Sequence, residues 1–290
     1  INGTFIKSFD IKKGKSPLFY MISWIPLTDS LFFGQVPLSA GNEKSKAIIF
    51  DIYGNTRREY PNYIILNRST VNFTSDDSEA NFYSYSDTIY YKEKLNDTLF
   101  FLTRNYELSS RISFRIGKYK IPVSLRETID VDGCNPNNYV YVNKIFETSN
   151  FLLIGCEFGK YTLHKRITPR IVMGKEIWVN TTDVLGFYSK MNGTLIFCKP
   201  SCTDNPIITT GIRNDIDVGP WFYPLKQVND STLVMWVEAK QLIDHVESND
   251  FKNDEAMCPE KKKELEVLTN KLSAFDNPIL MFVTFHKDDE

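Results

Sequence analysis

Two aspartates one residue apart, in Asn214-Asp215-Ile216-Asp217, with Trp221 and Tyr223 close behind, have the spacing most suggestive of chemistry. On an extended chain alternate residues share a side, so Asp215 and Asp217 would present two carboxylates together. With a backbone carbonyl such a pair ligates Ca²⁺. It also suits a hydroxylated ligand stacked on Trp221 and Tyr223. The competing reading is local: Asn214 and Asp215 open an Asx turn, and Gly219-Pro220 shapes the approach to the next strand. On that reading Arg213 pairs with one of the carboxylates.

No other pattern carries a reaction. There is no Gly-x-Ser-x-Gly elbow, no glycine-rich phosphate loop and no His-Glu-x-x-His. None of the 3 histidines, His164, His245 and His286, lies with an adjacent Ser, Cys or Asp in a recognisable nucleophile motif, and each reads as an ordinary residue. No catalytic residue is therefore assigned. No cofactor is expected, with Ca²⁺ the one ion that the aspartates admit.

The 5 cysteines, Cys134, Cys156, Cys198, Cys202 and Cys258, are too few for a disulfide scaffold in 290 residues. Cys198 and Cys202 stand close enough for a local disulfide or for two free thiols. Asn-x-Ser/Thr triplets at Asn2, Asn67, Asn72, Asn96, Asn180, Asn192 and Asn229 would be glycan acceptors in a eukaryotic secreted protein. An Asn-rich chain also produces them in ordinary turns.

Charge excludes one class of partner. Lys plus Arg number 34 against 36 Asp plus Glu, a net charge of −2, which leaves no footprint for nucleic acid. Lys261-Lys262-Lys263, bracketed by Glu260 and Glu264, reads as a solvated helix face. Arg57-Arg58-Glu59 reads as charge guarding an exposed strand edge. No stretch approaches the ~20 apolar residues that span a bilayer. No signal peptide opens the chain, yet it starts at Ile1 directly before a turn, which suggests processing or truncation.

These residues must be positioned by strands. At 14% aromatic, with 15 Tyr and 21 Phe set among Ile, Val and Thr, the composition favours β-structure. A strand–turn–strand phrase also recurs about every fifty residues, the period of a hairpin-bearing repeat. It appears at Asn2-Gly3, at Gly54-Asn55, weakly at Asn105-Tyr106-Glu107 and clearly at Asn192-Gly193. Such a unit suits one blade of a β-propeller.

After an opening strand over 4–9, the first blade is expected as four strands, Leu18 to Pro26, Asp29 to Pro37, Ala47 to Asp51 and Thr56 to Tyr60. The second is Asn81 to Tyr85, Thr88 to Lys92, Thr98 to Thr103 and Arg111 to Ile116. The third is Tyr139 to Phe146, Phe151 to Cys156, Ile177 to Tyr188 and Thr194 to Cys198, with an insertion over Tyr161 to Lys175. The last has strands at Trp221 to Val228, Thr232 to Val237 and Ile279 to Phe285. Helices over Glu238 to Val246 and Pro259 to Leu272 make a helical insertion at 238–275, with Pro259 in a first turn and Leu265, Leu268 and Leu272 on one face. Trp24, Trp178 and Trp236 are expected in core or inter-blade packing. The chain thus reads as all-β, a single β-propeller domain over 1–290.

The segments Asn214 to Pro224, Asp276 to Met281, Tyr90 to Leu99 and Gly117 to Pro122 carry a resemblance. From about Ser45 onward the chain resembles the six-bladed β-propeller lipoproteins of Bacteroides-type bacteria, a family of undefined function. The resemblance implies six blades with the first ones missing here, and export to the periplasm or outer-membrane surface on a lipid anchor upstream of Ile1. A four-bladed ring closed by residues 4–9 is the alternative.

The expected function is non-enzymatic: a binding or scaffold protein of the cell envelope that holds a glycan, peptide or protein on a propeller face through Asp215, Asp217, Trp221 and Tyr223. The alternative is a propeller hydrolase or lyase with a Ca²⁺-assisted axial site. A eukaryotic secreted glycoprotein is the third reading.

Overall fold

The computed structural model describes residues 23–36, 42–66, 80–126, 138–161, 166–172, 175–181, 183–198 and 211–286, the side chains of 166–181 excepted. The protein is mostly β, built from antiparallel sheets with a few helices. It divides into two compact units, Ile1–Tyr83 with Thr88–Asn143, and Ser84–Asp87 with Lys144–Glu290. The strand expected over 4–9 lies outside the described residues.

In the first unit β1 (Trp24–Pro26), β2 (Leu31–Gln35), β3 (Ser45–Asp51) and β4 (Thr56–Pro61) form a meander in chain order. Every residue of the inner strand β3 is buried. The edge strand β4 exposes Arg57, Arg58 and Glu59 and buries only Tyr60, as an edge guarded by charge should. The second sheet repeats the plan with β5 (Ala80–Tyr85), β6 (Thr88–Glu93), β7 (Thr98–Leu102) and β8 (Leu108–Ser113).

The two sheets share one apolar layer. Phe33, Ala47, Ile49 and Tyr60 from the first meet Ala80, Tyr91 and Leu102 from the second. The Phe33 ring stands edge-on to Tyr60, Phe82 and Tyr91 at centroid distances of 5.5, 5.3 and 5.4 Å, a geometry the ring quadrupoles favour. Two polar links cross the same layer: the buried Gln35 Oε1 accepts the Ala80 N–H at 2.7 Å, and the Tyr60 hydroxyl donates to the Tyr106 carbonyl at 2.6 Å. Farther along, the fully buried Lys92 ammonium donates to the carbonyls of Glu93, Asn96 and Val142 at 2.5, 2.5 and 2.7 Å.

The recurrent sequence phrase is a recurrent turn. Asp51 N–H donates to Asn55 O (3.0 Å) and Gly54 N–H to Asp51 O (2.9 Å). Thr103 N–H donates to Glu107 O (2.8 Å) and Tyr106 N–H to Thr103 O (2.9 Å), the same wiring. Ser189 N–H to Thr194 O and Gly193 N–H to Ser189 O repeat it with one residue more. Gly54 has φ +78°, where glycine carries no steric penalty. Tyr106 takes the same place at φ +58°.

In the second unit β9 (Tyr141–Glu147) and β10 (Phe151–Glu157) are followed by a separate hairpin, β11 (Arg166–Val172) with β12 (Lys175–Thr181). The sheet then resumes with β13 (Asp183–Ser189) and β14 (Leu195–Phe197), in the order β14-β13-β10-β9. The single strand expected over Ile177 to Tyr188 is therefore two strands, and the insertion runs past Lys175 to Thr181. The last sheet has three strands, β15 (Lys226–Gln227), β16 (Thr232–Val237) and β17 (Ile279–Thr284). Between β16 and β17 stand α1 (Ala239–Glu247), α2 (Asn249–Asn253) and α3 (Pro259–Thr269).

The strand expected over Trp221 to Val228 shrinks to β15 plus an Ile212–Phe222 bridge, because Pro224 has no N–H to give a ladder. Phe146, Leu153 and Leu185 of the third sheet pack with Phe222, Leu233, Met235, Val237 and Leu242. Leu265 and Leu272 join them, whereas Leu268 is exposed. Two tryptophans depart from the expected core. Trp24 lies exposed, edge-on to Phe32, and Trp236 sits with Leu280 and Phe282 on the exposed face of β16 and β17. The Trp178 side chain lies outside the described residues.

Candidate functional site

The Asn214–Tyr223 segment runs as a bend rather than a strand. Asp217 turns back into its own loop, where Oδ1 accepts from Asn214 Nδ2 at 2.6 Å and from Gly219 N–H at 2.8 Å. Val218 stands at φ +61°. A Cβ on Gly219 would lie 2.8 Å from Asp217 Oδ1 and 2.9 Å from Asn214 Nδ2, so a larger residue would have to displace those two side-chain ends and their hydrogen bond. Asp215 is exposed and Asp217 half-buried.

The helical insertion holds this loop from one side. Met257 N–H donates to Asp215 O at 2.8 Å and Cys258 N–H to Ile216 O at 2.9 Å. His245 Nε2 lies 2.8 Å from the Val218 carbonyl. Arg213 pairs with Asp254 at 2.8 Å, not with either loop aspartate as its position in sequence suggested.

Trp221 and Tyr223 flank the buried Phe222, both half-buried. Burial raises the Tyr223 phenol well above its usual value, and negative charge at Asp183, Cys156 and Glu157 adds to the rise. Glu157 and Asp183 are direct cross-strand partners on β10 and β13. Motif reading missed these two carboxylates, since only strand register brings residues so distant in sequence together. Among the described residues, no three His, Cys, Asp or Glu side chains are grouped to hold a metal ion.

The remaining candidates serve local structure. Burial pushes the Cys198 thiol up to about 11; Cys198 and Cys258 are free thiols, Cys156 is buried, and Cys134 and Cys202 lie outside the described residues. Asn96, Asn192 and Asn229 each accept, through Oδ1, the N–H two residues on, at 3.0, 3.0 and 2.9 Å. Those triplets are thus Asx turns. Lys261 pairs with Glu264, and Lys262 donates to the Asp254 carbonyl. His286 is exposed, and His164 lies outside the described residues. No described helix is long and apolar enough to cross a membrane.

Among solved structures the chain is similar to a "Putative exported protein" from Bacteroides fragilis NCTC 9343, with a TM-score of 0.56 and 14% sequence identity. The match covers 93% of this chain and 66% of that one, a likeness of fold. No curated protein matches the sequence. A family model described as Domain of unknown function (DUF4934) matches residues 1–284, and the chain belongs to that family.

Proposed function

We propose that the protein is a non-enzymatic binding or scaffold protein of the bacterial cell envelope, its antiparallel sheets being blades of a β-propeller. The recurrent turn and the apolar layers between consecutive sheets within each unit support the propeller reading. The exported protein among its structural neighbours supports the envelope reading. The ligand, a glycan, peptide or protein, is held at Asp215, Trp221 and Tyr223, with Asp217 fixing the loop that presents them.

One observation carries the site. The loop leaves Asp215 and Ile216 exposed while the insertion fixes its backbone through Met257, Cys258 and His245. A loop ordered in advance loses little entropy on binding. The test is thermal unfolding against panels of glycans and peptides, where a ligand at ~100 times its dissociation constant adds roughly 2.7 kcal/mol. A shift lost in Asp215→Ala/Trp221→Ala supports the site. A shift that survives both changes removes it.

The facing Glu157 and Asp183 beside Tyr223 favour a second reading, a hydrolase or lyase assisted by Ca²⁺. A Ca²⁺-dependent rise in unfolding temperature that Glu157→Gln/Asp183→Asn abolishes would support it. No response to Ca²⁺ would sink it.

A further inference from the structure

We draw no further inference here: the strongest candidate, the exposed apolar face of β16 and β17 carrying Trp236, Leu280 and Phe282, has nothing in the structure to show what covers it.

Discussion

The Tyr60 hydroxyl donates to the Tyr106 carbonyl at 2.6 Å, so the edge strand of one sheet is tied to the left-handed turn of the next. The ring is buried, and burial pushes its phenol up to about 12, with Arg58 opposing and Tyr106 adding to the rise.

Tyr60→Phe should lower stability by about 1–2 kcal/mol, because the turn carbonyl loses its donor. Alkaline behaviour gives a second readout. With the folded value raised above the usual 10, this group's contribution is complete below pH 10 and is lost as pH rises from 10 through about 12. Urea titrations at stepped pH should show that loss in the parent and not in the variant.

Asp51 gives the opposite sign. Desolvation would raise its carboxyl, but hydrogen bonds from the Asn55 backbone and side chain, the Tyr53 N–H and Arg57 outweigh this and hold it at about 2. Its contribution is therefore present above the unfolded value of 3.8 and is lost as pH falls through about 2. Asp51→Asn should reduce the melting temperature at neutral pH and flatten its fall between pH 4 and 2. An unchanged acid profile would show that Asp51 does not anchor the turn.

Lys190 bonds the fully buried Glu147 at 2.6 Å and the Thr148 carbonyl at 2.5 Å. Removing one partner of a buried pair costs about 3–5 kcal/mol. Lys190→Met alone should cost that much, and Lys190→Met/Glu147→Leu less than the two single changes added together. Additive losses in this double-mutant cycle would show that the pair is not coupled.

Gly219→Ala should force Asp217 and Asn214 apart and destabilise by about 1–3 kcal/mol. Faster amide exchange at Met257 and Cys258 is the accompanying sign, since their N–H groups are held by this loop. If exchange there is unaltered, the loop and the insertion are not joined as described.

Much of the fold was legible because alternation and tight turns are local signals. The strand over Thr88 to Lys92 and the Gly54 turn sit where the sequence places them, but Tyr90, Tyr91 and Lys92 are buried in succession, so both faces of that strand are covered and its alternation does not sort inside from outside. The weak copy at Tyr106 was faint because its left-handed position is filled by a tyrosine. The β12–β13 break was hidden, since strand-forming residues run on either side of it. At the site, Asp217 faces inward because of an amide three residues away, which an extended reading does not foresee. Glu157 and Asp183 meet only through pairing of β10 with β13.

Gln35 has a consequence of another kind. Its side-chain amide is buried and reaches across 45 residues to the first N–H of β5. Were the second sheet to slip by one residue against the first, that N–H and the glutamine oxygen would both be stranded without water, at about 1–3 kcal/mol each. Apolar side chains tolerate sliding far better than a directional bond does. Gln35 thus works as a detent, a single notch that selects one alignment among several that the greasy layer alone would accept.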